Sequence, residues 1–100
     1  MTNVLTVVAR IYPRPGHEEE VQSLLVQMAD AVRRAEPECL AYRLHRTTQG
    51  PVAFLFYEQY RSDAAFELHK TAPHLMAPRA RLKELLARPS EIELYRSLTD

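Results

Sequence analysis

Residues 52–60, Val-Ala-Phe-Leu-Phe-Tyr-Glu-Gln-Tyr, limit what this chain can fold into more than any other stretch. Read as a strand, the segment puts Val52, Phe54, Phe56 and Tyr60 on one face and Ala53, Leu55 and Tyr57 on the other. Successive side chains of a strand point to opposite faces, so a segment apolar on both parities needs cover on both. Residues 4–12 are rich in β-branched residues, lack a helical period, and pose the same demand. Helices can cover one side of such a sheet. The other side, carrying Val4, Thr6, Val8, Ala53, Leu55 and Tyr57, is too apolar to face water and calls for a second copy of the chain.

Turn and helix signals order the rest. Pro13-Arg14-Pro15-Gly16 ends the first strand, because proline cannot donate to a ladder. Val21, Leu24, Leu25, Met28 and Val32 recur at the spacing of one buried helical face and predict a helix over 17–35. Glu18, Glu19 and Glu20 at its start and Arg33 and Arg34 at its end suit the helix dipole. Leu40, Tyr42 and Leu44 alternate with Ala41, Arg43 and His45 as a half-buried strand, and 47–51 is a turn, so the second and third strands form a hairpin. Ser62 reads as the N-cap of a short helix reaching His69. A further helix covers about 74–87, with Pro78 implying a kink or a later start, and 91–97 alternates as a last strand. Strand, helix, strand, strand, helices, strand is the order of an α+β, ferredoxin-like split βαβ sandwich with a four-stranded antiparallel sheet. No linker interrupts it, so residues 1–100 read as a single domain.

Composition narrows the function classes. Thirteen basic and thirteen acidic residues give zero net charge, without the basic stripe of a nucleic-acid binder; Arg33-Arg34 and Arg79/Arg81 fall on predicted helices and read as solvated faces. The lone Cys39 allows no internal disulfide, no Cys/His spacing suggests a metal, and glycine only at 16 and 50 argues against a phosphate-cradling loop. The first residues lack a signal-peptide pattern and no run is long enough to span a membrane, so the expected compartment is the cytoplasm.

Glu58-Gln59-Tyr60-Arg61-Ser62-Asp63-Ala64-Ala65-Phe66-Glu67-Leu68-His69, followed by Ala72-Pro73-His74, resembles the signature of antibiotic biosynthesis monooxygenase (ABM) domains: an acid, an aromatic two residues on, a short helix, and a histidine nine after the aromatic. Residues 36–42 resemble the family's entry into its second strand, and Pro15-Gly16 its first turn. The resemblance spans nearly the whole chain. It implies a dimeric α/β barrel and a choice among cofactor-free quinol and polyketide oxygenases, a haem-degrading branch, and an isomerase of a phosphorylated sugar. The family commonly has Trp at the position of Tyr60 and Gly at that of Glu38. The haem-degrading branch needs that Trp and an Asn near the position of Ala9, and this chain has neither.

His69, at the end of the short helix, is the candidate proton acceptor, set against a core histidine bonded to a carbonyl. Glu58, an acid on an apolar strand face, would orient His69 or receive a proton, set against a structural ion pair with Arg61 or Arg43. Tyr60 and His74 are candidates for holding a substrate anion, and Tyr42, Phe54, Leu5 and Val7 for lining the pocket. Cys39 reads as a small buried hydrophobe. The expected function is a cofactor-independent monooxygenase acting on a quinol or polycyclic phenol with O2; the alternatives are a proton-transfer isomerase and a non-catalytic dimeric binding module.

Overall fold

The computed structural model describes residues 2–99. Strand β1 (Leu5–Ile11) is followed by helix α1 (Glu18–Ala35), the hairpin of β2 (Cys39–Arg46) and β3 (Phe54–Tyr60), helix α2 (Asp63–Lys70), a 3-10 turn (Pro73–Leu75), helix α3 (Met76–Leu85) and strand β4 (Glu91–Arg96). All strand pairs are antiparallel in the order β2-β3-β1-β4, the order of the ferredoxin-like sandwich.

One sheet face carries the core. Leu5, Val7, Ala9 and Ile11 of β1 and Phe54, Phe56, Glu58 and Tyr60 of β3 are buried on it. Ala9, Ile11, Phe54 and Phe56 pack with Val21, Leu25, Met28, Ala29 and Val32 of α1 and with Leu75, Leu82 and Leu85. A second, smaller cluster joins Leu5, Val7 and Tyr60 to Ala65 and Phe66 of α2. The opposite face is bare in the single chain: Thr6, Val8 and Arg10 pair across the sheet with Gln59, Tyr57 and Leu55.

Local signals act as expected at most boundaries. Gly16, at φ +90°, turns the chain after β1 in a conformation that side chains other than glycine rarely adopt. The Ser62 hydroxyl accepts from the Ala65 N–H at 3.2 Å and starts α2. Pro78 produces no kink, since α3 begins at Met76 and the proline falls in the first turn, where N–H groups have no partner inside the helix. Leu40 corrects the simple alternation read for β2. An irregularity between Cys39 and Ala41 changes the register, so Cys39, Tyr42 and Leu44 pack inward while Leu40 stays exposed.

Candidate active site

A cavity of about 570 Å³ opens between the sheet and the helices. Ala9, Ile11 and Phe56 floor it, and Leu25, Met28 and Leu82 wall it. Glu58, Tyr42 and His69 reach it from β3, β2 and α2. A shallower concavity of about 760 Å³ lies on the bare sheet face among Arg43, His45, Leu55 and Tyr57. The smaller space is the candidate site because only there do a buried histidine and a buried carboxylate face one volume.

His69 reaches inward because α2 is short and capped. Ser62 fixes its first turn, Ala65 and Phe66 bury its inner face, and His69 falls one turn further along that face. The ring is caged by aromatics, with centroids 5.5 Å from Tyr42, 5.2 Å from Tyr60 and 6.2 Å from Phe66. Its Nδ1 lies 2.8 Å from Glu36 Oε1, and its Nε2 lies 4.0 Å from Glu58 Oε1. In the neutral ring Nδ1–H donates to Glu36, which leaves the Nε2 lone pair on the side of Glu58. Burial lowers the pKa of His69 and outweighs the raising effect of Glu36, so the ring is neutral at pH 7 and fit to accept a proton.

Glu58 forms neither of the ion pairs that would have made it structural. Arg61 pairs with Glu38, and Arg43 lies on the opposite sheet face. The hydroxyl of Tyr60 donates to Glu58 Oε1 at 2.7 Å. Burial raises the Glu58 carboxyl to about 7, while the Tyr60 bond and the charge of Arg79 pull the other way. Burial and the adjacent Glu58 raise Tyr60 well above the ordinary phenol value, so it stays a donor.

Other expected lining residues lie outside this cavity. Tyr60 is fully buried behind Glu58 and packs on Phe66. Leu5 and Val7 share that second cluster, and Phe54 is sealed in the main core beneath α1. Leu5, Val7 and Tyr60 fall away because α2 covers the end of β1 nearest Tyr60, while the cavity opens over Ala9 and Ile11. His74 does not line the cavity either; its Nε2 lies 2.6 Å from Glu36 Oε2. The thiol of Cys39 donates to the Ala41 carbonyl at 3.3 Å, and burial pushes its pKa up to about 12, which fits a packing role.

Two residues not anticipated from the sequence organise the site. Glu36, just past α1, bridges His69 and His74 with its two oxygens. Its signal was faint, an acid beside a helix-ending proline, where a solvated charge is the ordinary reading. Arg79, expected on a solvated face, is half-buried; it lines the cavity and donates to the carbonyls of Lys70 and His69 at 2.8 and 3.1 Å. Those bonds satisfy orphan carbonyls at the end of α2 and fix the guanidinium. Among the described residues no three His, Cys, Asp or Glu side chains are arranged to hold a metal ion.

Residues 4–81 match the family described as Antibiotic biosynthesis monooxygenase. The Mycobacterium tuberculosis protein named "Putative monooxygenase Rv0793" is 36% identical over 100 residues, which cover 100% of this chain and 97% of that protein. The solved structure of Rv0793 superposes with a TM-score of 0.87 over 97% of both chains. PA3566 from Pseudomonas aeruginosa is 33% identical, with a TM-score of 0.85 over 99% of this chain and 98% of its own. A Caulobacter crescentus structure, 24% identical, shares the fold at a TM-score of 0.92 over 98% of this chain and 92% of its own.

Proposed function

The chain belongs to the antibiotic biosynthesis monooxygenase family, and from that premise we propose that it oxidises a quinol or polycyclic phenol with molecular oxygen, without a cofactor, in the cavity between sheet and helices. The observation that carries this reading is the pair of acceptors, His69 Nε2 and the Glu58 carboxylate, facing one apolar cavity at 4.0 Å separation while Glu36 holds the far side of the ring.

The chemistry asks little of the protein. In such a reaction the substrate supplies all four electrons: one oxygen atom enters the product and the other leaves as water. A phenol becomes electron-rich enough to react with O2 when its hydroxyl proton is removed. His69 Nε2 takes that proton. The imidazolium that results is held between Glu36 on Nδ1 and, when ionised, Glu58 beside Nε2, in surroundings where charge interactions are strong. Tyr60 steadies Glu58 through its hydroxyl, and Glu36 ties His74 to the same network. Tyr42, stacked on Phe56 at 4.3 Å, offers a flat wall to an aromatic ring, and Leu25, Met28 and Leu82 keep water from the reactive intermediate.

Oxygen consumption with a panel of quinols and hydroxyanthrones tests the reading. His69→Ala is expected to keep the wild-type circular dichroism spectrum and to lose about 10²–10⁴-fold in kcat, the range for removing a general base. Undiminished turnover in that variant would remove His69 from the scheme. Proton-transfer isomerisation is the second reading. It is favoured by the same two acceptors, which could take a proton at one position and return it at another. Turnover that persists under argon would decide for it.

We further propose that two chains pair through the bare sheet faces, making the dimeric barrel. Val8, Leu55 and Tyr57, half-uncovered at the centre of that face, support this. No described helix is long and apolar enough to cross a membrane.

A further inference from the structure

We infer that the cavity is built for a ligand with an acidic substituent, a carboxylate or a phosphate, which docks on Arg79, Lys83 and Arg88 while its apolar body lies over Phe56 and Tyr42. This rests on the cavity being the substrate site proposed above and adds the charge class of what enters it.

Three cationic side chains, Arg79 and Lys83 of α3 and Arg88 beyond it, line the cavity with a single acid, Glu58. Among the described residues none of the three has a carboxylate within ion-pair distance. Of the ten other bases, Arg10, Arg33, Arg46, Arg61, Lys70, Arg81 and Arg96 lie within ion-pair distance of an acid, and among the described residues Arg14, Arg34 and Arg43 do not. Three of the six bases without a carboxylate partner among the described residues therefore line one cavity. Like charges gathered without counter-charges repel, and an anionic ligand relieves the repulsion.

Arg79 is the organised member. Two of its five N–H donors serve the carbonyls of His69 and Lys70, so the planar fork is fixed before any ligand arrives and three donors remain. Its charge already acts on Glu58, Tyr42 and His69, opposing the rise that burial gives the first two and adding to the fall that burial gives the third. Arg88 lies with its guanidinium carbon 3.8 Å from the centroid of the Tyr12 ring, which holds that side chain in place. Lys83 is exposed at the rim.

Calorimetric titration of the full chain with three naphthalene probes tests this: 2-naphthoate, 2-naphthyl phosphate and the neutral 2-naphthamide. Near pH 6, where Glu58 at about 7 is mostly protonated, at least one acid is expected to bind roughly tenfold tighter than the amide. The preference shrinks as salt is added. The acid that binds tighter identifies the substituent. In the double variant Lys83→Gln/Arg88→Gln, both positions being exposed, the preference falls while amide binding is unchanged. Equal affinity for acid and amide, a preference that survives the double substitution, or no binding of any probe would overturn the inference. Neither oxygen nor turnover enters the readout. Acid preference without quinol oxidation would leave this inference standing and remove the oxygenase reading; oxidation without acid preference would do the opposite.

Discussion

Glu58 and His69 are shifted by the same burial in opposite senses of charge, and each shift sets a pH dependence. The folded carboxyl of Glu58 titrates at about 7, above its ordinary value near 4.5. Between those values the folded chain holds a proton that the unfolded chain has released, so stability is lost as pH rises through that window. Glu58→Gln keeps the shape without the charge. Its stability relative to wild type is expected to grow from pH 4.5 to 7 and then level off, at a gain of about 3 kcal/mol. Chemical denaturation at several pH values checks this, and a flat difference would contradict it. The same variant is expected to lose the rise in kcat/KM with pH centred near 7, because ionised Glu58 is the form that steadies the imidazolium. His69 works the other way. Its folded pKa lies below the usual imidazole value, so its contribution is lost as pH falls below about 6.5. Glu36 raises that pKa through its bond to Nδ1. Glu36→Gln should therefore move the His69 titration, followed by NMR of the ring, to lower pH. An unmoved titration would show that Glu36 does not govern the ring.

At the scale of elements, the site depends on α2, only eight residues long. So short a helix has little stability of its own and relies on its caps and on packing. Ser62 caps one end, and Arg79 reaches from α3 to carbonyls at the other. Ser62→Ala is expected to cost about 1 kcal/mol, read as a lower Tm, and to lower kcat by loosening the helix that carries His69. A drop in Tm with kcat intact would separate the cap from the site. The Arg79 contacts also couple α2 to α3, so the elements carrying the proposed base and the cationic rim are joined by two hydrogen bonds. The sequence showed α2 through its cap and its inward face, yet not this link, because the reach of Arg79 to a backbone carbonyl nine residues earlier depends on how the 3-10 turn at Pro73–Leu75 redirects the chain.

For the whole molecule, the bare sheet face is the consequential feature. Val8, Leu55 and Tyr57 lie at its centre, and the Arg10–Glu93 pair and Arg43 lie around them. An apolar middle with a polar rim has the anatomy of a protein interface. Wild type is expected to sediment as a dimer. Leu55→Arg, which places a charge in the middle of the face, is expected to shift it to monomer at micromolar concentration, because a buried unpaired charge costs several kcal/mol. A wild-type monomer, or a Leu55→Arg dimer, would count against pairing through this face. Ile92 and Leu94 are exposed on the helix side of edge strand β4, with Ile92 at the cavity.

By itself the sequence determined the order of elements, the two apolar sheet faces, the Ser62 cap, and the burial of Glu58 and His69, because all of these follow from periodicity and from backbone chemistry local to a few residues. Only the tertiary structure decided which groups meet. The partnership of Glu36 with His69 and His74 joins residues 33 and 38 positions apart, and nothing in either neighbourhood encodes it. The same holds for the withdrawal of Tyr60, Leu5 and Val7 behind α2 and for the arrival of Arg79, Lys83 and Arg88 at one opening. Strand parity tells which side of a sheet a residue faces; what stands opposite depends on where the helices lie across that sheet, which is settled by packing over the whole core.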